Sequence, residues 1–272
     1  MNKLVAILKL TRIEHSLMLI LAVLVAELIV ANGRLPSAVT LVLSMITPAF
    51  ISMGAFAIND YYDIKVDKIN KKDRPLVTRD LMLEDALYVT ITSFAIGIAA
   101  SYFINLYCFA IAVFFGAVSW LSSYKLKELL FWGNAYVAIS MSIPFIYGNY
   151  VMANAIDFRI IIVSILIFCS GLAREIHGTI RDYRGDLKAR NATNVPKKMG
   201  IKPAASLSLI FYLVAILLSA YLFFYISPFR HNIAFGILIF ASDVMLLYVG
   251  IGYRSKKSQR FYEMTRNVSL AA

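Results

Sequence analysis

The chain has 272 residues, of which 60% are apolar and only 16% charged. Soluble domains are nearer half apolar and a quarter charged, so this composition excludes an ordinary soluble domain and places the chain among membrane proteins. A formal net charge of +11 raises nucleic acid as a partner, but the positions of the bases along the chain exclude it.

In chain order, "MNKLVAILKLTRIEH" comes first and has the basic character of a leader peptide. The further apolar runs that follow argue for a polytopic stop-transfer protein instead. Spans are predicted at 14–32, 38–58, 83–104, 106–122, 130–149, 156–173, 204–226 and 232–252. A helix needs about 20 apolar residues to cross a bilayer. The runs are continuously apolar and do not alternate, so they predict helices and not strands. The expected fold is an all-α transmembrane bundle of eight spans, forming one domain over 1–272. Cys108 and Cys169 both fall inside apolar runs and read as packing residues.

With eight spans the two termini share one side of the membrane. That side receives the N-terminus, the loops at about 59–82, 123–129 and 174–203, and the tail from Arg254. Of the 27 Lys and Arg residues, all but Arg34, Arg159 and Arg230 fall there. This is the positive-inside pattern, which predicts a cytoplasmic location for that face and anionic membrane lipids as its neighbours.

The second span runs into "NDYYDIKVD", and the sixth into "REIHGTIRDYRGD". The two acid clusters lie four spans apart, so the topology assigns them to the same face and suggests a four-helix unit used twice. Asn59, Asp63 and Asp67 are spaced i, i+4, i+8, and Asp60, Asp63 and Asp67 are spaced i, i+3, i+7. Either set lines one helix face. Asp182 and Asp186 repeat the i, i+4 pair. Like charges so spaced repel, and a hard divalent cation is a better compensation than Lys65, Lys68 or Arg74 alone. Oxygen ligands suit Mg2+, with Mn2+ as substitute. Mg2+ takes one or two carboxylates and shares its other positions with substrate phosphates, so a phosphorylated substrate is implied. Arg74, Lys125, Lys127, Arg174, Arg181 and Arg184 are candidate phosphate donors. A charged loop alone is an ordinary solvated face; two such clusters at helix ends on one side carry the metal reading.

These residues resemble the UbiA superfamily of intramembrane prenyltransferases. Its first motif, N-D-x-x-D-x-x-x-D, is met by Asn59, Asp60, Asp63 and Asp67, with "RPL" downstream; its second, D-x-x-x-D, is met by Asp182 and Asp186. The likeness covers nearly the whole chain. Within the superfamily, "LKLTRIEHSLM", "SYKLKELLFWGN" and "RNATNVPKKMG" resemble the branch that builds the second ether bond of archaeal membrane lipids. The resemblance implies Mg2+-dependent transfer of a geranylgeranyl group from its diphosphate to the free hydroxyl of geranylgeranylglyceryl phosphate. It implies that Asn59, Asp60, Asp63, Asp67, Asp182 and Asp186 hold metal. Asp63, Asp67, Asp182 and Asp186 are the catalytic set. Arg74, Tyr124, Lys125, Lys127 and Arg181 would bind diphosphate, and Arg12, Arg174 and His177 the acceptor. Two features depart from the family pattern: Thr179 stands where an acid is common, and eight spans are counted where nine are usual.

An aromatic acceptor such as 4-hydroxybenzoate would use much the same cationic pocket as a phosphate. A transporter is the non-enzyme alternative, but transporters place ionisable groups near the midplane, and here nearly every charge lies at a helix end.

Overall fold

The apolar runs fold into helices because a chain in lipid must satisfy its backbone groups internally. A computed structural model describes residues 2–69, 73–125, 131–189, 195–255, 261, 264, 265 and 268, with 182–189 and 255 described by their backbone alone. The helices are α1 (Lys3–Thr11), α2 (Ile13–Val30), α3 (Ala38–Ile69), α4 (Leu83–Tyr102), α5 (Leu106–Tyr124), α6 (Trp132–Met152), α7 (Phe158–Ala189), α8 (Val195–Met199), α9 (Ile201–Tyr225) and α10 (Ile233–Ser255).

Each of the eight predicted spans has its helix, but only 7 of these helices are long and apolar enough to cross a bilayer on composition. The exception is α6, predicted as the span 130–149. It is long enough at 21 residues, but Asn134, Pro144 and Asn149 dilute its apolar character. Phe261 and Thr265 are buried, and Phe261 and Val268 pack on the core built by α7, α9 and α10.

Two of the expected loops are in large part helix. α3 and α7 each run for 32 residues, about 48 Å at 1.5 Å per residue. A hydrocarbon layer is about 30 Å thick, so each helix carries several turns beyond it. The segments 59–69 and 174–189, expected as loop, are those turns.

The chain divides into two compact units, Met1–Lys127 with Ile143–Ile160, and Glu128–Ser142 with Ile161–Ala272. A strict pair of four-helix halves would divide between α5 and α6. The observed division passes through α6 and α7 instead. The reason lies in the first unit. Tyr147 and Val151 of α6 pack with Val23 and Cys108, and Asn105 donates from Nδ2 to the Tyr150 carbonyl at 2.7 Å. The first turn of α7 is capped by Asp157, whose Oδ1 accepts from the Arg159 backbone N–H at 2.8 Å. The Arg159 guanidinium pairs with that carboxylate at 2.6 Å and reaches Asn32 at 2.8 Å.

Within the first unit, α3 is central. Gly54 of α3 lies under Phe94 of α4, and Gly97 of α4 lies against Ile51. Small residues at crossings let membrane helices approach closely. Ser16 and Ser52 hydrogen bond at 2.7 Å between α2 and α3, and Thr47 donates to the Gly97 carbonyl at 3.2 Å between α3 and α4. Gly148 is the tightest such contact to backbone: a Cβ there would stand 2.6 Å from the Val23 carbonyl oxygen and 2.8 Å from Ala26 Cβ. Gly148→Ala must push α6 off α2, at a cost of about 2 kcal/mol. The expected result is a fall of several degrees in the Tm of the detergent-solubilised protein, and an unchanged Tm would contradict this packing. In the second unit, Leu172, Ile176 and Ile180 of α7 pack with Ala205 and Tyr212 of α9 and Val249 and Tyr253 of α10.

Candidate active site

The emergent end of α3 carries the first acid cluster. Asp60, Asp63 and Asp67 are buried at 1%, 9% and 2% exposure, so the i, i+3, i+7 set is the one turned inward. Asn59 is partly buried beside them. Acids survive burial only when paired or hydrogen bonded, and the pairing is visible. Asp60 Oδ1 accepts from Arg12 Nη2 at 2.9 Å and from Arg74 Nη1 at 2.8 Å, and Arg74 Nη1 also lies 3.0 Å from Asp60 Oδ2. Arg74 Nε stands 3.8 Å from Asp67 Oδ2. The two guanidinium nitrogens share one oxygen, so they are no more than about 6 Å apart. At an effective dielectric near 20 their repulsion is about 3 kcal/mol. Asp60 is what holds two like charges together.

The frame around this cluster is local. Ala6 and Leu10 of α1, Ala57 of α3, Leu76 and Leu81 of the connecting segment and Ala86 of α4 form one small core. α1 lies along it and sends three bases to three acids: Lys3 to Asp85 at 2.8 Å, Lys9 to Asp73 at 2.6 Å and Arg12 to Asp60 at 2.9 Å. Arg12 is also the break between α1 and α2, in the left-handed region at φ 49°, a conformation costly for a residue with a Cβ. Its guanidinium lies 4.5 Å over the Phe56 ring. Arg12 was expected to hold an acceptor and Arg74 a diphosphate; the structure brings both to one carboxylate.

Tyr124 and Lys125 end α5 and are exposed. The Tyr124 ring is 5.5 Å from that of Tyr62, next to Asp63 in sequence. An open groove of about 460 Å³ runs from Tyr124 along α5, past Leu121, Trp120, Ala117 and Gly116, with Phe94 and Ile98 of α4 on its other wall. Lys127 lies outside the described residues.

In the second unit, the α7 backbone carries Asp182 and Asp186 one turn apart in its last turns; their side chains lie outside the described residues. Arg181 is partly buried, and Arg174 Nη2 stands 3.8 Å from Glu175 Oε1. His177 was expected to touch the acceptor. The structure closes it inside α7, α9 and α10 at 3% exposure. Nε2 is hydrogen bonded to Ser208 Oγ, and the ring stacks on Tyr253 at 3.8 Å with 7° between planes. That packing leaves it no access to a bulky ligand.

Among the described residues, no three Asp, Glu, His or Cys side chains form a metal cage. Such a cage is not required: Mg2+ uses one or two carboxylates and completes its shell with water and phosphate. Asp63 and Asp67, buried oxygen donors on one face, fit that hard cation.

Residues 19–268 match the UbiA prenyltransferase family. The chain belongs to that family, and it is a membrane-embedded prenyltransferase. It is 34% identical over 98% of its length to digeranylgeranylglyceryl phosphate synthase of Archaeoglobus fulgidus, covering 91% of that protein. It is 31% identical to the synthase of the same name from Thermococcus kodakarensis, over 89% of this chain and 84% of that one. A solved structure described as concerning digeranylgeranylglyceryl phosphate synthase in membranes is 25% identical. It superposes with a TM-score of 0.79 over 100% of this chain and 97% of that one. A UbiA homologue from Archaeoglobus fulgidus bound to GPP and Mg2+ shares the fold, with a TM-score of 0.70 at 19% identity over 97% and 95% of the two chains.

Proposed function

We propose that this protein transfers a geranylgeranyl group from geranylgeranyl diphosphate to the free glycerol hydroxyl of geranylgeranylglyceryl phosphate. The allylic C–O bond to diphosphate breaks, the second ether bond forms, diphosphate leaves, and the hydroxyl proton is released. The observation that carries the reading is the identity to digeranylgeranylglyceryl phosphate synthases along nearly the whole chain.

Magnesium, or manganese in its place, would neutralise the charge that develops on the leaving diphosphate. In the first unit Asp63 and Asp67 on α3, with Asn59 beside them, would hold it; in the second unit Asp182 and Asp186 on α7 are the carboxylates that the sequence motif offers for the same task. Arg74, Tyr124, Lys125, Lys127 and Arg181 donate to diphosphate oxygens and hold them where charge grows. Arg12 and Arg174 take the acceptor phosphate. Apolar walls keep water from the allylic cation, which would otherwise be captured as the alcohol. The N-terminus and both acid clusters face the cytoplasm of the cell membrane, as the distribution of Lys and Arg supports.

The test is transfer of label. Purified protein in detergent receives radiolabelled geranylgeranyl diphosphate and Mg2+, with either geranylgeranylglyceryl phosphate or 4-hydroxybenzoate. Label in the glyceryl lipid alone is expected. Label in the aromatic acid alone would keep the prenyltransferase and refute the acceptor.

A further inference from the structure

The end of the first unit away from the acid cluster holds a carboxylate that the candidate active site does not use. Glu27 stands in the last turns of α2, one turn past Val23, and is 0% exposed. Neither of its oxygens has a hydrogen-bond partner among the described residues. An acidic side chain inside a transmembrane bundle is costly and is kept where it meets a partner. The neighbouring helices bring polar atoms to it. Ser44 of α3 approaches the carboxylate. Cys108 of α5 and Tyr147 of α6, which pack with Val23, stand close enough to feel its charge. Thr47 of α3 lies beside Tyr147. Ser44, Thr47 and Tyr147 are all buried, and the Tyr147 hydroxyl also has no hydrogen-bond partner among the described residues.

The direction of the hydroxyls says what these atoms require. Ser44 Oγ donates to the Leu41 carbonyl at 3.0 Å, and Thr47 Oγ1 donates toward the Leu43 and Gly97 carbonyls at 3.2 Å. Both protons point to backbone oxygens, so what these hydroxyls turn to Glu27 and Tyr147 is lone pairs. Lone pairs around a carboxylate repel it unless a positive charge lies between them. Among the described residues no base supplies that charge. Arg159, which reaches the end of α2, commits Nε, Nη1 and Nη2 to Asp157, Asn32 and the Val30 carbonyl. We propose that Glu27, Ser44, Thr47 and Tyr147 bind one alkali-metal cation, Na+ or K+, which ties α2 to α3 and α6. One carboxylate balances one positive charge, whereas a divalent ion would leave a net charge in a low-dielectric interior. Oxygen donors alone suit a hard cation. The helices are close enough to share an ion: a Cβ on Gly148, next to Tyr147, would stand 2.6 Å from the Val23 carbonyl oxygen. Ser44 lies about 28 Å from Asp63 along α3, at 1.5 Å per residue. The site is therefore separate from the acid clusters and does not depend on the proposed prenyl transfer.

The test is thermal unfolding of the full-length protein in a non-ionic detergent, at fixed pH and ionic strength, in NaCl, KCl or N-methyl-D-glucamine chloride. The organic cation is too large for the site and controls for screening of the charged helix ends. With Na+ or K+ at about 100 times its Kd, the Tm is expected to stand about 5 °C above that in N-methyl-D-glucamine. Glu27→Gln keeps the side chain's shape, removes its charge and should abolish the difference. If that variant does not fold, Tyr147→Phe serves: with one ligand oxygen lost, the cation concentration giving half of the rise is expected to increase severalfold. An equal Tm in all three salts would overturn the proposal. So would an alkali-cation response that persists in Glu27→Gln, or an unchanged midpoint in Tyr147→Phe, since the ion would then bind elsewhere. A Tm that follows pH and not the choice of cation would overturn it too, because a proton would then be what Glu27 holds.

Discussion

Asp63→Ala and Asp182→Ala are each expected to lower kcat/KM for prenyl transfer by at least about 10³, which corresponds to about 4 kcal/mol of lost transition-state stabilisation. The leaving diphosphate carries more charge in the transition state than when bound, so a lost carboxylate ligand acts mainly on kcat. Neither variant should unfold the protein. Asp63 lies in the part of α3 that extends past its apolar stretch, and Asp182 lies in the corresponding turns of α7. A kcat within tenfold of wild type in Asp63→Ala would remove that residue from the catalytic set.

Arg74→Ala is expected to damage both stability and activity. It removes one of the two arginines that pair with Asp60, itself 1% exposed, and a cation 3.8 Å from Asp67. Breaking a buried pair from one side costs about 3 kcal/mol. Arg74 is about a quarter exposed, so water will recover part of that. The predicted signature is a Tm several degrees lower in detergent, weaker diphosphate binding, and partial recovery of Tm but not of binding in Arg74→Lys. A wild-type Tm in Arg74→Ala would mean that the ion pair contributes nothing to the fold.

Most of the architecture was legible because lipid imposes a simple rule on sequence. A continuous apolar run of about 20 residues has few options other than a helix. What the runs concealed were the places where polar residues continue a helix or interrupt one. "NDYYDIKVDKI" and "EIHGTIRDYRGDLKA" contain no proline, so α3 and α7 continue through them. Apolar length alone marks their ends too early. The break at Arg12 has no proline or glycine to announce it; there the side chain pairs with Asp60 and lies over Phe56. α6 is long enough to span but keeps Asn134 and Asn149 buried, and sequence hydropathy does not say what such amides are bound to. Asn149 donates to the Ala155 carbonyl and accepts from the Asp157 N–H, a loop lock that no spacing rule identifies.

The candidate site was legible to the extent that its chemistry is local. The i, i+3, i+7 acids and the i, i+4 pair are readable from numbering alone. The pairing of Arg12 with Asp60 is not, since 48 residues separate them. The only signal was an arginine at the foot of an apolar helix, which an interfacial anchor explains equally well. His177 shows the opposite error. Its position among acids and bases suggested contact with a ligand, but helix periodicity turns it inward, on the same face as Ala173 and Ile180, both buried in the core of the second unit.

The central claim is that a divalent cation joins these carboxylates to a prenyl diphosphate. The most direct measurement is equilibrium binding of geranylgeranyl thiodiphosphate, a slowly reacting analogue, to the purified protein with Mg2+ and then with EDTA. The account predicts binding at least about 100-fold tighter with Mg2+, about 2.7 kcal/mol, with the gain lost in Asp63→Asn. Equal affinity with and without the metal would contradict it.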